Sequence, residues 1–243
     1  MGTVVTIDVR DADPHTAAVD TAIAWFHEVD ATFSTYREQS EISRLGRGEL
    51  GEDGCSAAVR EVLGLCAEVA RSSGGCFDIH AGGRLDPSGL VKGWSVQRAA
   101  EMLQAAGAAD FFIGAGGDIV TRGRPEPGRR WHVGVRHPEL AGETAAVLEV
   151  DSLAVATSGA YERGQHIIDP RTRRAPVGLL SVTVAGPSLT YADAFATAAF
   201  VMGEEGLRWV AGINGYAALA ITRDRRTMWT AGMEPLLVRQ PAP

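Results

Sequence analysis

Positive charge is in short supply in this chain: 23 lysines and arginines against 30 aspartates and glutamates leave a formal net charge of −7. Affinity for a nucleic-acid backbone comes from clustered Lys and Arg, so a general nucleic-acid binder is excluded. Any anionic ligand must be held by a local arrangement. Cysteine is scarce as well. Cys55, Cys66 and Cys76 are an odd number without CxxC spacing, which excludes a disulfide framework and a structural zinc site and leaves reduced thiols. No apolar run approaches the roughly 18–20 residues that a membrane-spanning helix needs. The opening MGTVVTIDVR lacks the charged and apolar regions of a signal peptide, so the expected location is cytoplasmic, with no membrane segment. Neither a G-x-S-x-G elbow nor a Ser-His-Asp order is present, which argues against an acyl-transfer hydrolase.

What is present is an ordinary globular composition, with 45% hydrophobic and 22% charged residues over 243 positions. That is enough to bury a core, and no repeat or long linker divides the chain, so residues 1–243 are expected to form a single unit. Thr3 to Arg10 alternates as a half-buried strand, and Val19, Ile23, Phe26, Val29 and Phe33 follow at helical spacing. After the polar stretch YREQSEISRLGRGEL, a helix is predicted through Val59, Val62, Leu63, Cys66 and Val69, ending near Gly74-Gly75. Another runs through Val96, Ala99, Ala100 and Leu103 towards Gly107. DFFIGAGGDIV reads as two strands about a glycine turn, and RRWHVGVRHP, AAVLEV, SLAVATSG and SVTVAGPS continue the β-rich middle. RGRPEPGRR is expected to be an exposed hairpin loop. TYADAFATAAFVMG and EEGLRWVAGI are read as helices, and YAALAITRD and TMWTAGM as closing strands. Helices early and late around a run of strands predict an α+β fold.

Five stretches carry candidate chemistry. In LDPSGLVKGW, Asp86, Gly89 and Lys92 are spaced three apart. A helix beginning near Val91 would put Lys92 among free N–H groups that favour an anion; a plain exposed turn is the alternative. The pattern is not a Walker A motif, because Lys92 is followed by Gly93. GAGGDI lacks the third glycine of a dinucleotide fingerprint, so it reads as a tight hairpin turn that Asp118 supports by local hydrogen bonds, or as glycines admitting a flat ligand. In TYADAFAT, Asp193 and Thr197 project from one helix face and together suit a hard cation such as Mg²⁺, while Thr190 and Asp193 also have capping-box spacing. TSGAYER offers Ser158, Tyr161 and Arg163 as a turn or a phosphate-contacting loop. In HIIDPRT, His166 either satisfies a backbone carbonyl or acts as a general base.

Taken in order, MGT, STYREQSEISR, GGCFDI, LDPSGLVKGWSVQRA, GAGGDI, SGAYERGQHIIDPRT and ADAFATAAFVMG resemble the ApbE family, the FAD:protein FMN transferases. The resemblance spans Met1 to Gly203. It implies an α+β, T-fold-related unit with antiparallel sheets and flanking helices around a flavin cleft. It also implies cleavage of FAD at its pyrophosphate, transfer of FMN to a Thr or Ser of a partner flavoprotein, and release of AMP. Carried over by position, Asp193 and Thr197 match metal-binding residues, with carbonyls of Gly89 and Ala196 on the same Mg²⁺. Asp86 and Lys92 match FAD contacts, and Met1, Tyr36, Phe77, Asp78 and Ile167 match other flavin-cleft positions. His166 falls on a histidine suited to act as base for the acceptor hydroxyl, with Asp193 as the second catalytic group. Tyr36 favours transfer over the alternatives, an Mg²⁺-dependent FAD pyrophosphatase or a non-catalytic FAD-binding protein. The chain departs from many relatives between GGCFDI and LDPSG, where only His80 to Arg84 intervene. It also begins at the family's Met-Gly-Thr without the lipoprotein leader of envelope members.

Overall fold

A computed structural model describes residues 3–140, 142–159 and 167–238 of the chain. Strand β1 (Val5–Val9) leads into α1 (Thr16–Phe33), α2 (Glu41–Gly46), α3 (Ala57–Ser72) and α4 (Ser88–Ala105). Strands β2 (Phe111–Ala115), β3 (Asp118–Arg122), β4 (Trp131–Arg136), β5 (Thr144–Val150), β6 (Ala154–Gly159) and β7 (Leu179–Gly186) follow. Then come α5 (Leu189–Met202), α6 (Glu204–Ala211), β8 (Ala217–Thr222) and β9 (Thr227–Trp229). This is the α+β order that the sequence predicts, except for α2. That helix falls inside the stretch read as merely polar; its six residues are too few to display a hydrophobic period, and its signal is the Ser40 cap, whose Oγ accepts from Ser43 N at 3.1 Å.

Seven strands form one antiparallel sheet in the order β1-β2-β3-β6-β7-β8-β9, while β4 and β5 pair separately. The segment from Arg122 to Arg130 therefore does not close a hairpin, contrary to the sequence expectation. The edge of β3 away from β2 is taken by β6, so the chain crosses to the small sheet instead. The glycine turn between β2 and β3 is as expected: Gly116 and Gly117 have φ of 54° and 87°, the left-handed pair that a two-residue hairpin loop requires.

Strand alternation divides the interior in two. Ala154 and Ala156 of β6, Val182 and Val184 of β7, and Ala218 and Ala220 of β8 face the helices. Val155, Ala185, Leu219 and Ile221 face the β4–β5 pair and pack with Val133, Val135 and Leu148. The result is three layers, helices on one side of the large sheet and the small sheet on the other. Helix α5 lies innermost among the helices, packed against α4, α6, β6 and β7. Helix α4 is pinned on its far side by Trp94, whose ring meets Trp25 and Phe33 of α1 at centroid distances of 5.2 and 5.5 Å.

Candidate active site at the α4–α5 crossing

The two central helices approach each other at Gly93. A Cβ there would lie 2.7 Å from Asp193 Cβ and closer still to the Leu189 carbonyl oxygen, so only glycine permits the crossing. The close approach lets Gly93 N donate to Asp193 Oδ2 at 2.9 Å. Asp193 thus reaches from α5 to α4 and does not cap its own helix. The residue at the cap of α5 is Ser188, which makes no side-chain capping bond, and Thr190 lies within the first turn. The capping-box reading of Thr190 and Asp193 is therefore excluded. One turn on, Thr197 Oγ1 is 3.2 Å from Ser158 Oγ on β6. It also lies 3.6 Å from where a Gly89 Cβ would stand, so α4 and α5 bring Gly89, Asp193 and Thr197 together.

Lys92 is not at a helix start. Helix α4 begins at Ser88, three residues before the expected Val91: Pro87 stands at its cap, its carbonyl accepting from Val91 N at 3.0 Å, and Asp86 Oδ1 accepts from Ser88 N at 3.1 Å. The lysine instead extends to two carboxylates, with Nζ 2.7 Å from Asp118 Oδ2 and 3.5 Å from Asp193 Oδ1. Asp118 corrects the sequence reading too. Its Oδ1 accepts from Thr157 N at 3.0 Å, a residue 39 positions away, so its role is not local support of the hairpin. Burial pushes the Asp193 carboxyl well above the usual carboxylate range. The Lys92 ammonium draws it back down, the Asp118 charge raises it, and the Gly93 N–H lowers it.

Lys92, Thr157, Asp193 and Thr197 form one wall of a cleft of about 420 Å³. Tyr36, Phe77, Asp78, Asp86, Gly89, Lys92, Ile167, Asp193 and Thr197 all line it, which brings together most of the positions singled out in the sequence. Ala196 is fully buried on α5 and does not line the cleft, which leaves its backbone carbonyl as the only donor it offers. Met1, His166, Tyr161 and Arg163 lie outside the described residues. Phe77 is buried, whereas Tyr36 is 90% exposed at the mouth, with the Arg84 guanidinium 5.7 Å from its ring centroid. Asp78 turns its own loop by accepting from His80 N at 2.8 Å.

Arg84, Ser88, Thr157 and Ile168 also line the cleft and were not signalled by the sequence. Arg84 belongs to the short segment between GGCFDI and LDPSG, which the bond from Asp86 N to the Ile79 carbonyl closes at 2.7 Å, and its guanidinium stands 3.8 Å from Asp86. Arg84 stands two residues before Asp86, and nothing in the local pattern marks it. Among the described residues, no three His, Cys, Asp or Glu converge as a metal cage. The available donors are one buried carboxylate, hydroxyls and carbonyls. Such a set suits Mg²⁺, which prefers oxygen and completes its shell with water or phosphate, and does not suit a structural zinc ion.

The sequence aligns with proteins named FAD:protein FMN transferase. That of Haemophilus influenzae is 33% identical over 151 residues, 57% of this chain and 43% of that protein. That of Rhodobacter capsulatus is 37% identical over 223 residues, 88% of this chain and 40% of that protein. The chain thus spans less than half the length of these relatives. Among solved structures, the flavin transferase ApbE of Vibrio cholerae superposes with a TM-score of 0.84 at 24% identity, covering 98% of this chain and 96% of that one. The ApbE protein of Thermotoga maritima gives 0.82 at 20% identity, with 98% and 96% covered. These two likenesses establish the shared fold. The sequence model of the ApbE family matches residues 1–83 and 80–220, nearly every element that builds the cleft, and the chain belongs to the ApbE family.

Proposed function

We propose that the cleft takes FAD with Mg²⁺ and that this protein is an FAD:protein FMN transferase. The observation that carries the reading is the convergence of Gly89, Lys92, Asp193 and Thr197, from two helices, on one cleft. In this reading a Thr or Ser hydroxyl of a partner flavoprotein attacks the FMN phosphorus. The new P–O bond forms as the bond to the AMP phosphate breaks, the hydroxyl proton passes to a base, and AMP leaves. Asp193 and Thr197, with the carbonyls of Gly89 and Ala196, would hold the Mg²⁺. That ion supplies charge neutralisation on the pyrophosphate. Lys92 adds a second positive charge beside it, where excluded water makes electrostatic stabilisation count most. Phe77 and Ile167 supply apolar walls, and Asp86 and Asp78 polar edges, for the flavin nucleotide. Exposed Tyr36 offers the flavin an aromatic face at the mouth, where an acceptor protein can reach it. His166 is assigned as the base, and Met1 to the flavin cleft, on the sequence pattern.

The test incubates the protein with FAD and Mg²⁺, with and without a candidate acceptor flavoprotein, following AMP release and the acceptor's intact mass. The expected result is AMP and an acceptor heavier by FMN, both requiring the metal. Acceptor-independent release of FMN would make the protein a pyrophosphatase. Stoichiometric FAD binding without AMP would make it a carrier. Either result overturns the proposal.

A further inference from the structure

Asp118 is one of the most deeply buried charged groups in the molecule, its side chain 0% exposed. Its two oxygens do different things. Oδ1 is fixed to β6 through Thr157 N, next to the Ser158 that contacts Thr197. Oδ2 is aimed into the cleft wall at the Lys92 ammonium, 2.7 Å away. It has no aligned hydrogen-bond partner among the described residues, so its desolvation is answered chiefly by that one charge. The turn before it runs beside the lysine stem, since a Cβ on Gly116 would stand in ordinary van der Waals contact with Lys92 Cδ, at 4.0 Å.

We infer that Asp118 is a positioning residue: it anchors the Lys92 ammonium from behind, so that Asp193 is left to the metal and the lysine still faces the cleft. This rests on the flavin-transfer reading. Two geometric facts support the division of labour. The ammonium is closer to Asp118 than to Asp193, at 2.7 against 3.5 Å. Asp118 is also attached to the sheet, not to either helix that carries the metal donors. Without this anchor the ammonium would keep, of these two carboxylates, the longer contact to Asp193, which holds it less tightly and sets it in competition with a divalent cation there.

Lys92 is the only lysine in the chain, so ¹³C-lysine labelling gives a single Cε resonance whose relaxation reports the order of this one side chain. In the metal-free, FAD-free protein, D193N should leave Lys92 ordered, whereas D118N should loosen it. The carboxamide introduced by D118N can still accept from Thr157 N, and D118S is a second variant that removes the charge but keeps an acceptor. In turnover, D118N should lower kcat by roughly 10–100-fold and raise the Mg²⁺ requirement, with KM for FAD changed far less, as expected of a group acting behind a metal site. Equal order in D118N and wild type, loosening in D193N instead, or an unchanged kcat in D118N would overturn the inference. If the wild type fails to cleave FAD, the flavin-transfer reading falls and the resonance comparison still decides the role of Asp118.

Discussion

At Asp193 a single carboxylate serves the helix crossing and the cleft at once. Its Oδ2 accepts the Gly93 N–H, and its Oδ1 faces Lys92 across 3.5 Å. Removing one member of a buried ion pair ordinarily costs about 3–5 kcal/mol because a charge is stranded. Here Asp118 stays 2.7 Å from the ammonium, so Asp193→Ala strands no charge and its main structural loss is one acceptor for Gly93 N. That loss is worth about 1–3 kcal/mol. We therefore expect Asp193→Ala to fold, with a modest drop in thermal midpoint, and to lose Mg²⁺-dependent AMP formation entirely; near wild-type turnover would remove Asp193 from the metal site. The pairing of Asp193 with Thr197 was legible because both sit on one helix, where spacing alone fixes the shared face. The pairing of Lys92 with Asp118 was not, since it joins a helix to a strand and no local period records which side chains meet across that gap.

Among the elements, the amphipathic helices α1 and α3 could be read from periodicity, and the glycine hairpin from its residue types. The crossing of α4 and α5 could not. Helix α5 is buried almost all round, so it shows no stripe to say which side meets α4, and Gly93 looks like any glycine that weakens a helix. The same limit explains why β3 was joined to β4: strand spacing does not reveal that β6 occupies the edge. The helices supply a paired test of the crossing. Gly64 in α3 has nothing within 4 Å of an added Cβ, so Gly64→Ala should stabilise by up to about 1 kcal/mol through helix propensity. Gly93→Ala has the same propensity gain but drives its Cβ into the backbone of Leu189 and to 2.7 Å from Asp193 Cβ. Overpacking of this kind costs about 1–3 kcal/mol, and because backbone cannot rotate away the clash should win. Thermal or denaturant unfolding should show opposite signs for the two substitutions. A stabilised Gly93→Ala protein would mean that the helices are not packed as described.

The molecule as a whole buries thiols and phenols that ionise on the alkaline side of neutrality, which sets how its stability responds to pH. Cys66 lies on the buried face of α3, and burial pushes its thiol up to about 12. Burial likewise pushes Tyr216 up to about 12. In the unfolded chain the thiol ionises near its ordinary value of 9.0. Below that pH both states hold the proton and Cys66 adds no pH dependence. Between 9.0 and about 12 the unfolded chain releases a proton that the fold retains, so folding stability falls as pH rises. The slope from this one group approaches about 1.4 kcal/mol per pH unit at its steepest. Rising net charge adds repulsion over the same range, since the chain already carries −7, so the wild-type slope alone does not identify the thiol. Cys66→Ala separates the two contributions: it keeps the charge background and removes the ionising group. Urea unfolding at pH 8, 9 and 10 should show the variant less stable than wild type at pH 8, because a buried side chain is truncated, with the gap narrowing as pH rises. A gap that stays constant across the series would place the Cys66 thiol in contact with water and contradict the core packing around α3.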